Sequence, residues 1–130
     1  MKKWTGVLLL GRKSGEPMPY VPDRADVVWL TLSPTEGSEQ RGRRPAIVLS
    51  PQPYNRRVGL AVVCPITSRV KGYPFEVVIP PGLDVEGAVL SDQVRSVDWR
   101  ARRVEHMTKL PQSIAHEVSR KLLTLLPTLP

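Results

Sequence analysis

Cysteine and histidine are nearly missing from this 130-residue chain, which holds one of the first and two of the second. The lone Cys64 cannot close an intramolecular disulfide, and it fits a reducing, cytoplasmic compartment. It ends the apolar run Leu60-Ala61-Val62-Val63, which marks a buried thiol rather than a nucleophile. His106 and His116 join no Cys/His group with metal-ligand spacing, and the acidic residues are scattered. Neither a metal nor another cofactor is expected. Long apolar runs are missing too. Val7-Leu8-Leu9-Leu10 is too short for the apolar part of a signal peptide. Nothing approaches the roughly 20 apolar residues of a membrane span. Negative charge is scarce: 12 acidic residues face 19 basic ones, a net +7. That balance predicts attraction to a polyanion, whether nucleic acid, an acidic protein segment or an anionic membrane. The length suits one domain, and no repeat or low-complexity tract is present.

What is there reads as mostly β. Residues 26–32 form an apolar, aromatic-containing strand, broken by Ser33-Pro34-Thr35-Glu36-Gly37. Residues 45–50 are a second strand, 54–57 a turn, 58–64 a third strand and 75–79 a fourth. Shorter strands follow at 88–90 and 103–109. Short strands divided by Pro/Gly turns suggest a small barrel or sandwich. The period then changes. Ile114, Val118, Leu122 and Leu125 fall on one helical stripe, opened by Pro111 and closed by Pro127.

The densest chemistry lies in Gly37-Ser38-Glu39-Gln40-Arg41-Gly42-Arg43-Arg44-Pro45, which runs into the strand Ala46-Ile47-Val48-Leu49. A carboxylate, an amide, a hydroxyl and three guanidinium groups sit on a glycine-hinged loop tied to a rigid strand. The planar fork of arginine grips two phosphate oxygens at once. A single glutamate amid that density suits a site that holds a phosphodiester and moves a proton.

Further blocks follow in order: Val62-Val63-Cys64-Pro65-Ile66-Thr67-Ser68, then Lys71-Gly72-Tyr73-Pro74-Phe75-Glu76-Val77, then Leu90-Ser91-Asp92-Gln93-Val94-Arg95-Ser96, with Trp99-Arg100 behind. Together with the arginine loop they resemble the MazF/PemK (Kid) family of toxin endoribonucleases, from about Tyr20 to about Leu126. The resemblance implies an α+β, mostly β fold: the SH3-like small barrel with a C-terminal helix shared by MazF and CcdB, assembled as a homodimer. It implies single-stranded RNA as substrate and an acidic, MazE-like antitoxin as partner, with no membrane involved. Because it starts near Met18, residues 1–17 read as a flexible N-terminal extension and residues 18–130 as the toxin-like domain.

RNA can be cut without water or metal when a 2′-hydroxyl attacks its own phosphorus. The step needs a base, stabilisation of phosphorane charge and an acid for the leaving oxygen. Glu39 is the only carboxylate in the arginine loop and is the candidate base. Arg44 is the candidate for charge stabilisation, and Thr67, ending a strand, for a hydrogen bond to a phosphoryl oxygen. The resemblance implies the same three residues. An arginine pKa above about 12 makes Arg44 a poor acid at neutral pH, so the proton donor stays unassigned. His106 and His116 match no catalytic position of the family and read as structural or surface residues. Around this centre, Ser38, Gln40, Arg43, Arg69 and Lys71 are candidate RNA contacts. The amides of Asn55 and Gln93 can read base edges, although Asn55 reads equally well as a turn former. Trp29 and Trp99 are open between stacking on bases and filling the core. A non-catalytic toxin of the same fold that binds a protein target, as CcdB does, is the alternative. It has no need of Glu39, Arg44 and Thr67 together.

Overall fold

The computed structural model describes residues 19–31 and 43–128. Among the described residues, seven strands and two helices follow one another: β1 (Asp26–Leu30), β2 (Arg44–Val48), α1 (Gln52–Val58), β3 (Leu60–Thr67), β4 (Glu76–Val78), β5 (Ala88–Leu90), β6 (Arg95–Asp98), β7 (Glu105–Lys109) and α2 (Gln112–Leu123). All the pairings are antiparallel, in the order β4-β5-β3-β2-β1-β7, with β6 added beside β3. The eight-residue β3 is the axis. Its first half pairs with β6 and its last two residues with β5, while β2 lies along its other edge.

The central strands read as unbroken apolar runs because both of their faces are covered, and alternation sends neighbours to opposite sides. Val27, Ile47, Cys64, Ile66 and Val89 face one core, which α2 closes with Ile114, Ala115 and Val118. Val28, Leu30, Ala46, Val48, Ala61 and Val63 face another, closed by Val97, Trp99 and Val21. Each fully buried branched side chain is worth about 1.5–3 kcal/mol relative to exposure.

Two expectations from the pattern are corrected. Residues 54–57 are not a bare turn but lie in the helix α1, which Pro53 enters in its first turn and Gly59 ends at φ +82°. β6 was not foreseen, because Val97 is its only buried residue and the rest of it is polar or exposed. At the chain's other end α2 buries Ile114, Ala115 and Val118, and Leu122 packs at the core's margin. Leu125 lies beyond the helix and is largely exposed. The arginine loop before Arg43 and the extension at residues 1–17 lie outside the described residues. Among the described residues, no helix is long and apolar enough to cross a membrane.

Candidate active site

The arginine loop and the Thr67 block, some twenty residues apart in sequence, meet through strand pairing. The β2–β3 register sets Ala46 opposite Pro65, Ile47 opposite Cys64 and Val48 opposite Val63. Carried two residues further, it sets Arg44 opposite Thr67. Directly opposed residues share a face, with Cβ atoms usually about 5 Å apart. Leu30 pairs with Arg44 on one side, and Ala88 with Thr67 on the other. A single row, Leu30–Arg44–Thr67–Ala88, therefore crosses four strands. Its flanks are fully buried, Arg44 is exposed and Thr67 half-buried. The row marks where the core face opens to solvent.

The Thr67 hydroxyl is already oriented. Its Oγ1 accepts the backbone N–H of Arg69 at 3.1 Å, which leaves its own proton to donate outward. The chain then leaves the sheet through exposed Arg69 and Lys71. The turn that follows is tied from below. The buried Glu76 carboxylate accepts the N–H groups of Lys71 and Gly72 at 3.1 and 2.8 Å. Tyr73 donates to Asp92 at 2.5 Å, and that bond raises the pKa of its phenol. Gln93 is exposed next to Asp92, at the end of the β5 turn. Exposed Arg44 thus stands opposite Thr67 and exposed Arg69 and Lys71 follow it in the next loop, whereas β5 runs from Ala88, opposite Thr67, away towards the exposed Gln93.

Three other candidates, Asn55, Trp99 and Arg43, prove to be fasteners of the fold. Asn55 is fully buried, and its amide is saturated. Nδ2 donates to the carbonyls of Pro22 and Ser50, and Oδ1 accepts from the Ser50 hydroxyl. It cannot reach a base, so its expected reading role is withdrawn. The indole of Trp99 donates to the Asn55 carbonyl at 2.9 Å and is core, with the Arg100 guanidinium laid over its outer face at 4.7 Å. Arg43 donates to the carbonyls of Trp29 and Arg103 and pairs with Glu105 at 3.3 Å. Its guanidinium straps β2 to β1 and to the turn before β7. Trp29 itself stays 38% exposed. Ser38, Glu39 and Gln40 lie outside the described residues.

Cys64, Asp26 and His106 sit in structural surroundings. Burial, reinforced by Asp92, pushes the Cys64 thiol up to about 12, so it is neutral and unreactive. Asp26, buried beneath β7, accepts the Tyr20 hydroxyl at 2.5 Å and pairs with Lys109 at 2.9 Å. His106 stands beside this carboxylate at 3.7 Å, its ring meeting that of Tyr20 edge-on. His116 is exposed on α2. Among the described residues, no three His, Cys, Asp or Glu side chains converge as metal ligands.

Residues 23–126 match the model of the PemK-like, MazF-like toxins of type II toxin–antitoxin systems. The chain is 53% identical over 83 residues to the endoribonuclease toxin MazF of Escherichia coli strain K12, covering 64% of this chain and 74% of that protein. The solved structure of MazF from Deinococcus radiodurans superposes with a TM-score of 0.75 at 54% identity, over 83% of this chain and 98% of that one. The MazE–MazF structure from the same organism gives 0.74 at 50% identity, over 83% and 97%.

Proposed function

The chain belongs to the PemK-like, MazF-like toxin family of type II toxin–antitoxin systems, and from that premise we propose the chemistry by which it works as an endoribonuclease toxin. The substrate is single-stranded RNA, messenger RNA above all. A 2′-hydroxyl attacks the adjacent phosphorus and expels the 5′-oxygen, leaving a 2′,3′-cyclic phosphate and a 5′-hydroxyl. The observation that carries this reading is the placement of Arg44 opposite Thr67 where the core face opens. One phosphate between them receives a guanidinium and an oriented hydroxyl proton, both aimed at oxygens that gain charge in the phosphorane. Glu39, from the segment of sequence before β2, takes the 2′-proton, and the departing 5′-oxygen takes up a proton from solvent. Arg69 and Lys71 hold the neighbouring phosphates, and Gln93 stands where a flanking base edge would pass.

These roles need no metal ion. The substrate must be single-stranded, because a duplex restricts the in-line geometry of the 2′-hydroxyl and hides base edges. The working unit is a homodimer. Leu123, Leu125 and Leu126 at the end of α2 and Val78 on β4 are 45–62% exposed, a surface that a second copy would cover. The inhibitor is an acidic antitoxin, as the MazE–MazF neighbour suggests and the net charge of +7 favours. The test is to incubate the purified protein with a long transcript in EDTA and map the cut ends. Cleavage confined to unpaired stretches, with 5′-hydroxyl ends, is expected. Complete loss of activity in EDTA, or efficient cutting of a perfect duplex, would refute the mechanism.

A further inference from the structure

The chemistry above leaves one buried charge without a task. Glu76 opens β4 with only 6% of its surface exposed, yet among the described residues no cationic side chain pairs with its carboxylate. Its partners are backbone N–H groups: Lys71 at 3.1 Å from both carboxylate oxygens, and Gly72 at 2.8 Å. A buried carboxylate is held only where its hydrogen bonds compensate for lost water, and here they come from the loop that carries the phosphate-facing cations. The same loop is fixed at further points besides the Tyr73–Asp92 bond. The Thr67 hydroxyl holds the Arg69 N–H. The Glu76 N–H donates to the Tyr73 carbonyl at 3.0 Å. From α2, the Lys121 ammonium donates to the carbonyls of Pro74 and Glu76 at 2.8 and 2.9 Å. Gly72, at φ +81°, supplies the left-handed step by which the chain turns on towards Tyr73.

We propose that Glu76 is a positioning residue for RNA: its carboxylate fixes the backbone beneath Lys71 and Arg69 and so sets where those two cations meet the phosphates flanking the cut. Lys71 and Arg69 are exposed and long, and on a loose loop their ordering would weaken every contact they make. Glu76 itself stays behind the loop and does not touch RNA. The inference rests on the ribonuclease reading given above. It accounts for the Glu in Lys71-Gly72-Tyr73-Pro74-Phe75-Glu76, which that reading leaves idle.

The test separates binding from chemistry. Cleavage of a long single-stranded transcript gives kcat and KM, and a fully 2′-O-methylated RNA of the same sequence, which cannot be cut, gives Kd. For Glu76→Ala, KM and Kd should both rise about tenfold, as loss of charge-assisted hydrogen bonds implies, with kcat at saturation within about twofold. Glu76→Gln keeps one acceptor oxygen, and its loss should be about threefold. Gly72→Ala provides the same readout without touching the core: an added methyl meets nothing within 4 Å, but it strains the turn at φ +81°. It too should raise KM and leave kcat alone, and it decides the matter if Glu76→Ala does not fold. In an Arg69→Ala/Lys71→Ala background, Glu76→Ala should add less than about twofold, because the groups it positions are gone. A fall in kcat at unchanged KM, full additivity in that background, or unchanged KM in both Glu76→Ala and Gly72→Ala would overturn the proposal. A wild-type protein that neither binds nor cuts RNA would overturn the ribonuclease reading instead.

Discussion

Gly87→Ala is the substitution for which the structure gives the sharpest expectation. Gly87 precedes β5 at φ +118°, and a Cβ placed there would lie 2.1 Å from the Thr67 carbonyl oxygen and 3.3 Å from the Ser68 Cα. Ordinary contact begins at 3.4 Å, so β5 and β3 would have to part by about 1 Å at this point. The atoms in the way are backbone, so no side chain can swing aside. Two penalties add. An alanine at this φ costs about 1–3 kcal/mol of backbone strain. Opening the end of the β3–β5 ladder at Thr67–Ala88 forfeits one or two hydrogen bonds, each about 0.5–1.5 kcal/mol. The sum, about 1.5–6 kcal/mol, lowers the melting temperature of a domain this size on the order of 10 °C.

The catalytic consequence should exceed the thermodynamic one, because the displaced residue is Thr67. Misplacing a reacting contact by about 1 Å can cost roughly 10²-fold. Thermal unfolding followed by circular dichroism, paired with cleavage rates well below the new melting temperature, separates the two effects. The expected result is a folded, less stable protein whose rate falls about a hundredfold at saturating RNA. A variant with unchanged melting temperature and cleavage within about twofold would show that Gly87 does not hold Thr67 in place.

Arg44→Ala and Thr67→Ala should each lower cleavage about 10²–10³-fold with the melting temperature nearly unchanged, and Arg44→Lys should be poor because an ammonium cannot reproduce the fork; a folded Arg44→Ala protein cutting at the normal rate would sink the assignment. Stability should fall as pH rises from about 9 to 12, since Cys64 stays protonated in the folded state up to about 12 while the unfolded thiol ionises near the ordinary value of 9.0, and the raised pKa of Tyr20 acts with the same sign; denaturant titrations across that range check it, and a flat profile would contradict the burial of both groups. Antitoxin and uncleavable RNA should compete for one groove, with antitoxin affinity falling only in part as salt rises because apolar anchors persist; a ternary complex with both ligands on each site would exclude the shared groove.

Much of the fold was legible because β1, β2, β3 and β5 are covered on both faces, and two-faced burial writes itself as runs such as Ala46-Ile47-Val48 and Ala61-Val62-Val63. α2 was legible for the complementary reason: Ile114 and Val118 meet a core and Glu117 and Arg120 meet water. β6 was illegible because a strand held mainly by pairing to β3 needs only Val97 inside. α1 hid behind its prolines and polar residues, although Pro53 and Gly59 are sound start and stop signals.

The candidate site divides along the same line. Arg44 and Thr67 are legible as residue types at the ends of strands, and the register then supplies what sequence cannot, that they stand opposite each other. Asn55 shows the converse. An amide near basic residues reads as a contact for bases, yet the Asn55 side chain closes a buried ring with Ser50 and Pro22, while its backbone carbonyl receives the Trp99 indole. Those partners lie up to 44 residues away, so no local pattern announces them. The task of Glu76 is illegible in its motif, because the groups it binds are backbone N–H groups, and these carry no sequence signature. The residues that touch RNA in the proposed mechanism are thus marked by their chemistry, whereas those that hold them, Gly87 and Glu76 above all, are marked only by what the chain would do without them. Substituting the second kind should change the geometry and affinity of the site while leaving every reacting group present.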